Sequence, residues 1–137
     1  MSDEYLIDAS AIYPLLSYVE SVDLERVYVL RLTFYEVGNV IWKEFYLHKR
    51  VKDPVTLAEL FRKFLSRLKV LEDPPMEEAM KVAVDRGLTF YDASYVYAAE
   101  SRGLVLVSED SDLRRKGNAI SLKEFLERNG LHYFKQV

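Results

Sequence analysis

Short apolar runs alternate along this chain with longer stretches in which apolar residues recur at helical spacing. Runs that are apolar throughout are typical of strands buried on both faces, as the strands of a parallel sheet are. They predict strands at residues 5–7, 27–30 and 104–107 and a short one at 119–120, and Val70 and Leu71 after Lys69 indicate a further strand at 69–71. The helical spacing predicts helices near residues 11–19, 34–48, 57–68, 76–86, 89–103 and 122–128, with Gly87 and Gly103 ending the fourth and the fifth. Because strands that alternate with helices form parallel sheets covered by helices, the sequence predicts one α/β domain spanning residues 1–137.

The composition limits the chemistry that the 137 residues can support. Cysteine is absent, which excludes disulfides, thiolate nucleophiles and cysteine zinc sites. The two histidines, His48 and His132, are too few for most transition-metal sites, so oxygen ligands suited to magnesium or manganese remain. The net charge of −3 argues against a general nucleic-acid binder. Basic runs lie at residues 48–52 and 114–116, and each is interpreted first as a solvated surface.

The chain carries no sign of a membrane segment. No apolar run approaches the roughly 20 residues that a membrane helix needs. The first ten residues, MSDEYLIDAS, are acidic and lack the basic region that begins a signal peptide. We therefore expect a cytoplasmic protein without membrane contact.

One five-letter word occurs almost unchanged at two places, as LTFYE at residues 32–36 and as LTFYD at residues 88–92. Each copy ends in an acid, Glu36 or Asp92. One interpretation is a capping box, in which Thr33 or Thr89 begins a helix and the acid three residues later bonds back to the backbone. The other is that both acids point at one place. A helix start keeps a carboxylate ionised, so a capping acid also remains able to bind a cation.

Further acids follow two of the predicted strands. Asp8 comes directly after the first, and Glu109, Asp110 and Asp112 crowd together after the strand at 104–107. A helix cap at Asp8 and a solvated turn at 109–112 are the plain interpretations. However, parallel strands gather ligands at their carboxyl ends, where these acids can meet those of the repeated word. Several carboxylates without histidine or cysteine form a ligand set for hard divalent ions, and two such ions can cleave a phosphodiester.

These residues resemble four motifs of the PIN (PilT N-terminus) nuclease family, and the resemblance covers nearly the whole chain. LIDASAIYPLL is similar to the opening strand of the family, with Asp8 as the first metal-binding acid and Ser10 as the small hydroxyl after it. FYEVGNVIW is similar to the second motif, with Glu36 as the acid and Asn39 one helical turn later.

The remaining two motifs lie in the second half of the chain. FYDASYVYAAESRG resembles the third motif and supplies Asp92. LVSEDSDLRRKG resembles the fourth, with Asp110 as the main acid, Asp112 as its helper and Ser108 where many relatives have threonine. The resemblance implies that Asp8, Asp92 and Asp110 bind metal and that Glu36 holds a second ion or orients the attacking water. Supporting hydrogen bonds would come from Ser10, Asn39, Ser108 and Asp112.

In size, the chain most resembles the VapC-type toxins of toxin–antitoxin pairs. That resemblance implies a five-stranded parallel sheet flanked by helices and endonucleolytic RNA cleavage that depends on Mg²⁺ or Mn²⁺. It also implies a homodimer and inhibition by a small antitoxin whose arm covers the acidic cleft. Within the same family, a role in RNA processing is the alternative.

Two other functions are consistent with the sequence. In the first, His48 and His132 act as an acid–base pair that cleaves RNA without metal. In the second, the protein is a non-catalytic module whose acids only bind a basic partner peptide. Sensitivity to a chelator separates the metal-dependent enzyme from the first alternative, and cleavage itself separates it from the second.

Overall fold

A four-stranded parallel sheet lies at the centre of the protein, whose computed structural model describes residues 3–130. Its spatial order is β3-β2-β1-β4, and every neighbouring pair is parallel. The bounds of the strands are β1 Tyr5–Ile7, β2 Val27–Leu30, β3 Lys69–Leu71 and β4 Val105–Val107. The chain thus adds strands on one side of β1 and then returns to its other side, so β1 and β4 are neighbours although about 100 residues separate them.

Seven α-helices connect and cover the strands of the described residues. They are α1 Ala9–Leu15, α2 Arg31–Tyr46, α3 Pro54–Ser66, α4 Met76–Arg86, α5 Phe90–Arg102, α6 Ser111–Lys116 and α7 Leu122–Arg128. The predicted helix at 11–19 is shorter than expected, because Pro14 lies inside α1 and the chain tightens to a 3₁₀ helix at Leu16–Ser21. Helix α6 was not predicted from the sequence. No helix of residues 3–130 is both long and apolar enough to cross a membrane.

The expected fifth strand is reduced to one bridge between Val107 and Ile120. Two hydrogen bonds hold it, from Ser108 N to Ile120 O at 2.9 Å and from Ile120 N to Leu106 O at 2.8 Å. Asn118 just before it has a φ of 58°, and Ser121 just after it already caps α7. The space between this turn and the next helix is therefore too short for a strand.

The sheet separates two apolar cores, and β1 contributes to both. Tyr5 and Ile7 pack into the larger core, together with buried side chains of α1, α2, α3 and α7. Leu6 points the other way and packs with side chains of α5 and α6. This alternation is the period of two that a strand imposes, and it confirms an α/β fold with helices on both faces of a parallel sheet.

Glycine ends two of the helices as the sequence predicts. Gly87 and Gly103 follow α4 and α5 with φ angles of 66° and 67°. This left-handed conformation closes a helix at little cost only when the residue lacks a Cβ. Gly87 ends α4 directly before the second copy of the repeated word, which leads into α5.

Candidate active site

The four predicted acids line a single cavity of about 560 Å³. Asp8 follows β1, Asp110 follows β4, and the other two acids lie on helices, Glu36 on α2 and Asp92 on α5. Ser10 and Asn39 line the same cavity. The cavity opens at the carboxyl ends of β1 and β4, where the strand order reverses, which is the place where open parallel sheets bind ligands.

Asp8 is 5% exposed, and both of its carboxylate oxygens accept hydrogen bonds. Ser10 Oγ donates to Oδ1 at 2.7 Å, and Ser108 Oγ donates to Oδ2 at 2.5 Å. The Ala11 N–H also donates to Oδ1 at 3.2 Å, so Asp8 caps α1 while it faces the cavity. Burial raises the pKa of Asp8 to about 6 despite these hydrogen bonds, and the negative charge of Asp92 adds to the rise.

The two serines also join the ends of β1 and β4. Ser10 Oγ accepts from the Glu109 N–H at 2.9 Å, and Ser108 Oγ accepts from the Asp110 N–H at 3.0 Å. Each hydroxyl therefore accepts from the loop after β4 and donates to the carboxylate after β1. This arrangement fixes Asp8 and the Asp110 backbone relative to each other.

Asp110 is held by the first turn of α6. Its Oδ1 accepts from the Asp112 N–H at 2.7 Å and from the Leu113 N–H at 3.3 Å. The Asp112 carboxylate pairs with Arg115 and is not among the groups that line the cavity. Asp112 thus supports Asp110 through its backbone N–H, and its negative charge contributes to a raised pKa of Asp92.

The capping box predicted at Thr33 is wrong, because β2 leads directly into α2 and the helix begins at Arg31. Leu30, in extended conformation, is the residue at the cap, and Thr33 is already the third residue of the helix. The Thr33 hydroxyl accepts from the Leu30 N–H at 3.1 Å. Glu36 therefore plays no part in capping, and its carboxylate lines the cavity from the second turn of α2.

Tyr95, which the sequence analysis did not identify, orients Glu36. Its hydroxyl donates to Glu36 Oε1 at 2.8 Å and lies 2.8 Å from Thr33 Oγ1. Because the single phenolic proton goes to Glu36, the Thr33 hydroxyl donates to Tyr95, and the Leu30 N–H donates to Thr33. Tyr95 is 1% exposed, and burial together with the charge of Glu36 raises its pKa well above 10, so it stays a donor. The sequence does indicate Tyr95 in one way: it lies one helical turn after Asp92 and therefore on the same face of α5.

At the second copy of the word, the threonine half of the predicted capping box is present, whereas no hydrogen bond from the Thr89 N–H to the Asp92 carboxylate is found among residues 3–130. Thr89 precedes α5, and its hydroxyl accepts from the Asp92 N–H at 3.1 Å. The Asp92 carboxylate nevertheless lines the cavity. At this helix, Thr89 accepts from the backbone N–H of Asp92, and the Asp92 carboxylate is also part of the cavity lining.

The acids repel one another. The pKa of Glu36 is raised by burial and then by the charges of Asp8 and Asp92, and that of Asp92 is raised by burial and then by Asp110 and Asp112. Among residues 3–130, no three acidic or histidine side chains form a ready-made metal site. The carboxylate, hydroxyl and amide oxygens around the cavity nonetheless suit magnesium or manganese, and a cation would offset the repulsion.

Lys43 is the basic side chain among the groups lining the cavity, and the sequence analysis did not single it out. It follows Glu36 and Asn39 on one face of α2. The basic run at 114–116 is used elsewhere, in an ion pair of Arg114 with Glu109, the pair of Arg115 with Asp112, and a hydrogen bond from Lys116 Nζ to Gly87 O.

The histidine alternative receives no support from the described residues. His48 lies beyond the end of α2, where its Nε2 is 3.8 Å from Glu44 Oε2, and it is not part of the cavity lining. His132 lies outside the described residues.

Residues 5–119 match the PIN domain family. The chain is 48% identical to Exonuclease VapC9 of Pyrobaculum aerophilum over 131 residues, covering 93% of this chain and 97% of the relative. It is 34% identical to Ribonuclease VapC3 of the same organism over 126 residues, covering 84% and 95% of the two chains.

Solved structures agree with these matches. The crystal structure of PAE2754 from Pyrobaculum aerophilum superposes with a TM-score of 0.84 at 46% identity, covering 94% of this chain and 96% of the other. DNA-bound VapBC from Salmonella typhimurium shares the fold, with a TM-score of 0.64 at 17% identity and coverage of 88% and 97%. From its motifs, its fold and these relatives, the chain belongs to the PIN domain family.

Proposed function

We propose that this protein is a metal-dependent ribonuclease and the toxin of a VapBC-type toxin–antitoxin pair. The observation that carries the proposal is the meeting of Asp8, Glu36, Asp92 and Asp110, from four separate parts of the chain, around one cavity. Two relatives that the chain covers almost completely are named an exonuclease and a ribonuclease, which supports nuclease activity on RNA.

Mg²⁺ or Mn²⁺ is the proposed cofactor. Asp8, Asp92 and Asp110 would hold the ion. The charge of Asp92 adds to the raised pKa of Asp8, and the charge of Asp110 adds to the raised pKa of Asp92, so a cation that relieves this repulsion would be favoured there. When bound, such an ion activates water and stabilises the charge that develops on a phosphate.

The protein's own side chains orient the reacting groups. Ser10 and Ser108 hold both oxygens of Asp8, so this carboxylate keeps one orientation when its charge is neutralised. Tyr95 donates to Oε1 of Glu36, and no hydrogen bond from residues 3–130 engages Oε2, which would orient the attacking water and accept its proton. Burial raises the pKa of Glu36, which makes it a better proton acceptor near neutral pH.

The proposed partners are an RNA substrate, a small cognate antitoxin and a second copy of this chain. The antitoxin proposal is supported by the shared fold with the toxin in the VapBC complex from Salmonella typhimurium. A basic antitoxin segment suits the cavity, because four carboxylates line it and only Lys43 offsets their charge within the described lining. Binding there would block the acids directly.

The test is cleavage of a 5′-labelled RNA by purified protein in Mn²⁺, with and without EDTA. We expect cleavage that leaves 5′-phosphate ends and that EDTA and Asp92→Asn both abolish. Asp85→Asn, which removes an exposed carboxylate of α4, is the matched control and should cleave normally. A circular RNA run in parallel distinguishes endonucleolytic cutting, which we expect, from digestion that needs an end.

Other outcomes would contradict the proposal. Cleavage that survives EDTA would exclude the metal-dependent mechanism. Cleavage by Asp92→Asn at the normal rate would exclude this cavity as the site. A protein that binds a basic peptide but cleaves no RNA in any metal would be the non-catalytic module.

A further inference from the structure

The repeated word has a feature that the acids do not explain: each copy places a tyrosine directly before the acid. Tyr35 precedes Glu36 on α2, and Tyr91 precedes Asp92 on α5. Consecutive residues of a helix are about 100° apart around its axis, so the acid and its tyrosine point in different directions. Both tyrosines nevertheless line the same cavity as the acids, which places one ring beside each of the two acids.

Both rings are exposed to an unusual degree for side chains in a cavity. Tyr35 is 78% exposed and Tyr91 is 57% exposed. Neither hydroxyl forms a hydrogen bond with residues 3–130, and Tyr91 has one ring contact, with Phe90 at 6.5 Å. A tyrosine ring covers roughly 150–250 Å² when buried, so leaving both open keeps a large apolar area in water. Packing of the fold does not account for these two rings.

A cation completes the arrangement. Lys43 lines the cavity and forms no ion pair with residues 3–130. It lies eight residues after Tyr35 on the same helix, about 12 Å along the helix axis at 1.5 Å per residue. The part of the lining that the structure describes thus contains two exposed aromatic rings, four acids and a basic group without an ion pair. Rings together with a cation are what proteins use to bind single-stranded nucleic acid through base stacking and phosphate contact.

We propose that Tyr35 and Tyr91 are stacking surfaces for unpaired bases and that Lys43 contacts a backbone phosphate of the same strand. The inference rests on the proposed ribonuclease function and names the residues that would hold an unpaired strand beside the acids. Bases within a duplex are already stacked on their neighbours, so a duplex offers no free face to either ring. Stacking on a ring accepts every base, so we expect little base preference at these two positions.

The experiment measures binding and cleavage by the full chain. Anisotropy of a labelled 12-nucleotide oligoadenylate in EDTA gives the affinity, and cleavage of the same strand in Mn²⁺ gives KM and kcat. We expect Tyr35→Ala and Tyr91→Ala each to weaken binding by about 5-fold to 140-fold, the range for loss of one stacked base. KM should rise correspondingly, and kcat should change much less, because stacking acts on the bound strand and leaves the acids in place.

Matched variants separate stacking from other effects. Tyr35→Phe and Tyr91→Phe keep the rings and should bind almost as the natural protein does. Tyr46→Ala removes a ring that is 59% exposed on the same helix as Tyr35 but outside the cavity lining, and it should change nothing. Lys43→Gln should weaken binding and reduce the dependence of log affinity on log salt by about 0.7. The same strand annealed to its complement should bind weakly and equally to every tyrosine variant.

The outcomes distinguish this inference from the proposed function. If the natural protein neither binds nor cleaves RNA, the ribonuclease proposal itself fails. If it cleaves RNA and both alanine variants match it in affinity and KM, only the stacking inference is overturned. Loss of antitoxin binding in variants with normal RNA affinity would likewise overturn it and assign the rings to the protein partner.

Discussion

Asp8→Asn provides a test of how the acidic cavity affects stability. Asp8 is buried beside other acids, and its pKa rises from 3.8 to about 6 on folding. The folded state therefore binds this proton more tightly than the unfolded state does. The raised pKa of Asp8 therefore leaves the free energy of unfolding unchanged below about pH 4. It lowers this free energy as the pH rises from about 4 to 6, and the free energy stays lowered above about pH 6. Asparagine keeps the shape of the side chain and removes the charge.

The magnitude follows from the pKa. A rise from 3.8 to about 6 corresponds to roughly 3 kcal/mol of destabilisation when Asp8 is ionised. Asparagine has one acceptor oxygen where aspartate has two, so it can accept from only one of the two serines. We expect this change to cost about 1 kcal/mol. We therefore expect Asp8→Asn to be about 2 kcal/mol more stable than the natural protein at pH 8 and slightly less stable at pH 4. The variant should also be inactive.

The measurement is guanidinium unfolding, followed by circular dichroism, at several pH values in EDTA. Asp85→Asn controls for the loss of a carboxylate outside the cavity. In saturating Mn²⁺ we expect the order to reverse, because a ligand that binds only the folded natural protein stabilises it. A stability difference that is equal at pH 4 and pH 8 would refute the reasoning, since the destabilisation would then not come from the buried charge.

Three further substitutions test single contacts. Gly117→Ala should lower the free energy of unfolding by about 1–3 kcal/mol, because a Cβ would lie 2.7 Å from Val96 Cγ2, and unchanged denaturation would contradict this packing. Ser121→Ala should cost about 1 kcal/mol through loss of the cap of α7, measured in the same way. Tyr95→Phe removes the hydroxyl that orients Glu36, so kcat should fall about tenfold and half-maximal activity should need more Mn²⁺. A Tyr95→Phe protein with normal kinetics would exclude this orienting role.

Local patterns predicted most of the fold. The strands at Tyr5–Ile7 and Val27–Leu30 lie where the apolar runs predict them, because a run of three or four apolar residues is stabilised by burial on both faces of a sheet. Gly87 and Gly103 end their helices as expected, since each adopts a positive φ that disfavours other residues. The start of α2 was predicted wrongly because β2 continues into α2 without a loop. A threonine followed three residues later by an acid does not show that.

The candidate acids were also found from the sequence, whereas the side chains that orient them were not. Asp8 and Asp110 were expected at strand ends, and the cavity contains both. Tyr95 was missed because its partner Thr33 lies 62 residues away, and only the fold brings the two hydroxyls within hydrogen-bond distance. Lys43 was missed because its proposed role depends on which other side chains line the cavity, and the sequence does not show that.

The sequence alone therefore determined the elements of this protein and the kind of chemistry its residues support. It determined them because strands, helix ends and ligand types depend on neighbouring residues. Only the tertiary structure decided which groups meet. The hydrogen bond from Ser108 to Asp8 spans 100 residues, and it forms because β4 returns to pair with β1. Such a contact depends on the order of the strands in the sheet, which short sequence patterns do not specify.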